Sequence, residues 1–106
     1  NRVYAGAGNQ GVRIYDPSTL RLTGTIPGLN ANFLDTLGDA FLVVANYWYP
    51  KLPEGVYVYD LRRNPDVPAV VGRFPRPTGN ANFRARALGR RIYRVALYGV
   101  DILEAP

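Results

Sequence analysis

The chain has 106 residues with a formal net charge of +5, and 47% of it is hydrophobic and 20% charged. That balance fits one small folded domain and excludes disordered, collagenous and helix-spanned membrane classes. It contains no Cys and no His, which removes disulfides, thiolate metal sites, thiol nucleophiles and the usual general base together, and most hydrolase mechanisms with them.

Apolar residues alternate or run in short blocks bounded by Gly, Pro, Asn and Asp, the pattern of short strands. In chain order, strands are predicted at residues 2–5, 12–15, 22–26, 32–36, 41–46, 56–59, 69–74, 82–87, 92–97 and 100–103. Turns are expected at Asp16-Pro17-Ser18-Thr19, Leu37-Gly38-Asp39, Arg63-Asn64-Pro65-Asp66 and Leu88-Gly89-Arg90. No segment carries a sustained helical period.

The strands repeat. Gly11-Val12-Arg13-Ile14-Tyr15-Asp16 returns as Gly55-Val56-Tyr57-Val58-Tyr59-Asp60 and as Gly99-Val100-Asp101-Ile102-Leu103-Glu104, a 44-residue step both times. Asn30-Ala31-Asn32-Phe33 returns as Asn80-Ala81-Asn82-Phe83 after 50 residues. The difference is absorbed in connections, the longest being Tyr47-Trp48-Tyr49-Pro50-Lys51-Leu52-Pro53, as repeat folds tolerate. Four short strands per period match a β-propeller blade.

Residues 55–61 with the Asn64-Pro65 turn and Val71-Gly72 in the following strand resemble the surface-protein propeller repeat of bacteria and archaea typified by Leu-Val-Ile-Val-Asp. Residues 12–28 resemble the sister repeat typified by Tyr-Val-Thr-Asn. The resemblance implies an all-β chain of β-propeller-like blades, with strands grouped three, four and three. About two and a half blades would be incomplete as a closed ring, since propellers use four or more. It also implies an extracellular or cell-surface setting.

Local motifs have plain explanations beside their chemical ones. Gly6-Ala7-Gly8-Asn9-Gln10-Gly11 satisfies the dinucleotide pattern G-x-G-x-x-G, but it leads into a strand instead of a helix and reads as a hairpin. Ser18, the one serine, lies in a turn string that suits backbone capping. Asp16, Asp60 and Glu104 occupy equivalent turn positions, where an acceptor side chain serves backbone N–H groups. No catalytic residue, cofactor or metal site is expected.

Two segments stand out as interface or binding candidates. Tyr47, Trp48, Tyr49 and Lys51 belong to the long aromatic connection, suited to protein contact or sugar stacking. Arg84, Arg86, Arg90, Arg91 and Arg94 crowd the C-terminal part, where residues 61–106 hold nine basic and three acidic groups. Arg84 and Arg86 are expected on one strand face, opposite Ala85 and Ala87.

The expected function is a non-enzymatic structural or adhesive module that self-associates, as a homo-oligomer or filament subunit, because incomplete blades leave faces and edges uncovered. Two alternatives are a binding module for acidic glycan or another polyanion, and a fragment of a larger propeller enzyme. The chain carries no recognised nucleic-acid module and no membrane span. With no signal-like segment at Asn1, the chain is expected to be a mature form, a processed product or an excised piece. Twelve Arg among thirteen basic residues, no Met and nine Pro lean towards a heat-adapted source.

Overall fold

A computed structural model describes residues 1–46, 55–75, 82–96 and 99–104. These residues form ten strands: β1 (Val3–Gly6), β2 (Val12–Tyr15), β3 (Leu22–Ile26), β4 (Ala31–Leu37), β5 (Phe41–Asn46), β6 (Gly55–Asp60), β7 (Ala69–Pro75), β8 (Asn82–Leu88), β9 (Arg91–Ala96) and β10 (Gly99–Glu104). All ten predicted strands are present, each within one residue of its expected ends. Among the described residues there is no helix, hence none long and apolar enough to cross a membrane.

The strands make three antiparallel sheets, none of them closed: β1-β2-β3, β4-β5-β6-β7 and β10-β9-β8. The grouping is three, four and three, and each sheet is a meander in which sequential strands pair. The sheets stack face on face with the four-stranded one in the middle. Its two faces differ in what they bury. Leu42, Val44, Tyr57 and Tyr59 join Val12, Ile14 and Ile26 of the first sheet in one core. Val43, Ala45, Val56 and Val58 join Ala85 and Ile92 of the third sheet in another.

That double coverage explains the composition of the middle strands. β5 is Phe-Leu-Val-Val-Ala-Asn and β6 is Gly-Val-Tyr-Val-Tyr-Asp, nearly unbroken apolar runs whose side chains are buried in both directions, as a sheet with two covered faces requires. β2 instead alternates, with Val12 and Ile14 buried and Arg13 exposed, because only one face of its sheet is covered. The one fully buried polar side chain among the described residues, Asn46, accepts the Asn30 backbone N–H at 2.7 Å, so its burial is compensated.

The repeat is visible in backbone detail. The β2/β3 ladder shifts register between Ile14 and Tyr15, and the β6/β7 ladder shifts between Val58 and Tyr59, 44 residues later. β4 and β8 each begin with a register shift within the Asn-Ala-Asn-Phe marker.

Turn chemistry matches the sequence. Asp16 Oδ1 accepts the N–H groups of Ser18 at 2.7 Å and Thr19 at 3.2 Å, which holds its carboxyl below the usual carboxylate range. Asn64 Oδ1 accepts the Asp66 N–H at 3.0 Å. The G-x-G-x-x-G segment is the β1–β2 hairpin. A Cβ on Gly11, whose φ is +82°, would lie 2.0 Å from the Ile26 carbonyl oxygen. Leu20 adopts a left-handed φ of 60° with its side chain 74% exposed, a costly conformation for a branched residue.

Backbone and polar clasps join neighbouring sheets. Gly8 and Ala31 exchange two backbone hydrogen bonds, at 3.1 and 2.9 Å, tying the first hairpin to β4. Arg2 grips Asp66 with Nε at 2.7 Å and Nη2 at 3.2 Å, and the Tyr4 hydroxyl donates to the Pro65 carbonyl at 2.9 Å. Asp35 reaches from β4 to accept the Ala87 N–H at 2.7 Å on the open side of β8.

Candidate functional site: the open faces at the two ends of the stack

Strand geometry assigns each sheet two faces, and the repeat shows what each face is for. Val12 and Ile14 on β2, Val56 and Val58 on β6, and Val100 and Ile102 on β10 are equivalent residues 44 positions apart. Both members of the first two pairs are fully buried, because each packs on the next sheet. Val100 is 62% exposed and Ile102 60% exposed, because no further sheet lies beyond the third among the described residues. Leu88 of β8, at the ladder position of the buried Leu37, is 72% exposed. Among the described residues the third sheet therefore exposes an apolar face equivalent to the faces that the first two sheets bury.

The first sheet presents the complement. In the middle sheet, the row Leu42, Tyr59 and Val70 faces the first sheet, and Leu42 and Tyr59 are buried against it. Register places Val3, Tyr15 and Leu22 in the matching row of the first sheet. There Val3 is 47% and Leu22 51% exposed. Among the described residues, one end of the stack thus carries an exposed Val/Ile pair, and the other a half-exposed apolar row.

No family model matches the chain, and neither curated proteins nor solved structures supply a match. The internal repeat is accordingly the comparison that carries the functional argument.

The arginines singled out in the sequence are divided among different environments. Ala85 is buried and Arg86 exposed, as strand alternation requires, and Arg86 Nε lies 3.2 Å from Asp35 Oδ2. Burial pushes the Asp35 carboxyl up, but the N–H groups of Ala87 and Thr36, with Arg86, bring it below its ordinary value. Arg91 pairs with Glu104 across the β9/β10 ladder at 3.3 Å. Arg94 shares the inward face of Ile92, is 5% exposed, and donates Nη1 to the Phe74 carbonyl at 2.8 Å. It is therefore a strut between the second and third sheets and stands apart from any solvent-facing stripe. Arg90 is exposed in the β8–β9 turn. Arg84 lies on β8 opposite Val95 in the ladder; its side chain is outside the described residues, as are Tyr47, Trp48, Tyr49 and Lys51.

A cleft of about 520 Å³ lies beside the clasp between the first and second sheets, lined by Arg2, Tyr4, Asp39, Leu61, Arg62 and Pro65. Both of its guanidinium groups are engaged. Arg2 holds Asp66, and Arg62 Nη2 lies 2.8 Å from Asp60 Oδ2 while the same guanidinium sits 5.0 Å over the Phe41 ring. The Arg62 side chain, with help from the Arg62 N–H, drives the Asp60 carboxyl down to about 2. Sequence reasoning missed this cleft, since nothing in the chain marks Arg2 and Asp66 as partners 64 residues apart.

The three repeat-equivalent acids are occupied locally: Asp16 by turn N–H groups, Asp60 by Arg62, and Glu104 by Arg91. Among the described residues, no group of three or more His, Cys, Asp or Glu is placed to hold a metal ion.

Proposed function

We propose that the chain is a non-enzymatic structural or adhesive module of a cell surface or extracellular layer, built from β-propeller-type blades, whose copies join head to tail. The observation that carries this reading is the series Val12/Ile14, Val56/Val58 and Val100/Ile102, buried twice and exposed once at equivalent positions. The receiving row Val3, Tyr15 and Leu22 at the opposite end supports it. A contact between unlike faces of identical chains closes into a ring when its rotation permits and otherwise grows into a filament. The common strand register across the three sheets supports the blade reading.

Magnitude sets the character of this association. Full burial of one large aliphatic side chain is worth about 1.5–3 kcal/mol. Val100, Ile102, Leu88, Val3 and Leu22 are between 47% and 72% exposed, so covering them contributes about 4–9 kcal/mol in total. Lost rigid-body freedom opposes this by about 4–15 kcal/mol. Association through these residues alone is therefore weak and concentration-dependent, a property suited to a crowded layer.

Light scattering coupled to size exclusion tests the reading. Mass that rises with loading concentration supports it, and a constant monomer mass up to the solubility limit overturns it. A polyanion-binding surface draws less support, because Arg86 and Arg91 face carboxylates and Arg94 is turned inward.

A further inference from the structure

β4 is an edge strand of the middle sheet and β8 an edge strand of the third. At each of them the preceding sheet supplies a cap. On β4 the cap is backbone, the pair of hydrogen bonds between Gly8 and Ala31. On β8 it is a side chain. Asp35 Oδ2 accepts the Ala87 N–H at 2.7 Å, and Asp35 Oδ1 accepts the Thr36 N–H on its own strand at 2.9 Å. Arg86 Nε lies 3.2 Å from Oδ2, and the Asp35 side chain is 23% exposed. One half-buried carboxylate thus holds an N–H from each of two strands and a guanidinium.

We propose that Asp35 is an edge guard: it occupies the Ala87 N–H on the side of β8 away from β9, and so blocks edge-to-edge pairing of β8 with a strand of a second copy. The inference is independent of head-to-tail stacking, which uses the faces of the sheets, and it holds for a chain that stays a monomer.

β8 needs such a guard. It runs for seven residues, Asn82–Leu88, and the open side of an edge strand is a template for another chain. Any strand added there must take the Ala87 N–H and displace Asp35. That breaks a short, charge-assisted hydrogen bond. It also brings a backbone carbonyl oxygen, with its partial negative charge, against the displaced carboxylate. Arg86 is an exposed cation at the same edge, whose desolvation an incoming strand would have to bear. The Thr36 N–H and Arg86 fix the carboxylate in place. The sequence carries the signal too, since Asp is disfavoured inside strands yet stands within Phe33-Leu34-Asp35-Thr36-Leu37.

The test is run in the background Val100→Asp, Ile102→Asp, whose charged sheet face removes stacking from the outcome. Asp35→Ala is expected to speed amide exchange at Ala87 in dilute solution and to gain mass, by light scattering, at a severalfold lower concentration than its parent. Exchange in residues 85–88 should slow again as mass is gained. Adding Ala87→Pro, which removes the outward donor while leaving the β9 side of the ladder intact, should return association to the parent level. Asp35→Asn keeps an oxygen acceptor but loses the charge, so it should shift in the same direction by a smaller factor, and it serves where Asp35→Ala does not fold. Gly11→Ala, destabilised away from this edge, should stay at the parent mass. The proposal is overturned if neither Asp35 variant associates more readily than the parent, if Ala87→Pro does not rescue, or if Gly11→Ala associates equally.

Discussion

Ile14 and Ile102 are the same residue of the repeat in two settings, so truncating each to Ala isolates what the stack contributes. Ile14 is fully buried between its own sheet and the middle one. Ile14→Ala removes its transfer free energy and leaves a cavity that the surrounding strands can only partly fill, an expected loss of about 3 kcal/mol. Ile102 is 60% exposed. Its truncation opens no closed cavity and forfeits only the buried part of the side chain, about 1 kcal/mol. The gap of about 2 kcal/mol is roughly thirtyfold in the folding equilibrium. Urea unfolding of dilute protein, followed by far-ultraviolet circular dichroism, reads it as a midpoint shift that is large for Ile14→Ala and small for Ile102→Ala. With rising protein concentration the cost of Ile102→Ala should grow, since association stabilises the folded state by mass action. Equal costs in dilute solution would refute the reasoning, because the third sheet would then have its outer face covered within the single chain.

Other outcomes follow from local geometry. Gly11→Ala should destabilise by about 2 kcal/mol or more in the same urea assay, since its Cβ would meet the Ile26 carbonyl oxygen at 2.0 Å in a left-handed conformation. Gly24→Ala should loosen the clasp, because its Cβ would fall 2.2 Å from the Asp66 carbonyl oxygen; faster amide exchange in residues 64–67 would show it, and unchanged exchange would count against the packing. Leu20→Asn should raise stability by about 1 kcal/mol, as Asn accepts the left-handed backbone that Leu20 resists, and a loss in thermal midpoint would contradict that. Acid should destabilise the fold: Arg62 holds Asp60 at about 2, and Asp16, Asp35 and Asp66 also lie below the ordinary 3.8. Depressed carboxyls contribute stability above their unfolded value, and it is lost as pH falls through the folded values, so the thermal midpoint should drop between about 4 and 2. Burial, with Tyr57 beside it, raises the Tyr59 hydroxyl to about 12, so stability should also fall as pH climbs from 10 towards 12.

Most of the strand framework was legible because its signals are local. Alternation in Val12-Arg13-Ile14 and the Asp16-Pro17 turn depend on neighbours in the chain, and the 44-residue step aligns β2, β6 and β10 without reference to packing. The faces were harder to read. Charge alone groups Arg94 with the other C-terminal arginines as a binding candidate, although it shares strand parity with Ile92 and faces inward; the Phe74 carbonyl that receives it lies 20 residues away. The exposure of Val100 and Ile102 reflects that no sheet lies beyond the third among the described residues, which residue type cannot signal. The Arg2–Asp66 clasp and its cleft arise from the stacking of two sheets, and no spacing in the sequence encodes it.

The most direct test of the stacking account is sedimentation velocity of the unaltered chain beside the double variant Val100→Asp, Ile102→Asp across a wide concentration range. These side chains are already exposed in the single chain, so the variant should unfold at nearly the same urea midpoint. The account predicts that the unaltered chain gains mass with concentration while the variant stays a monomer. Equal association by both, or no association by either, would contradict it.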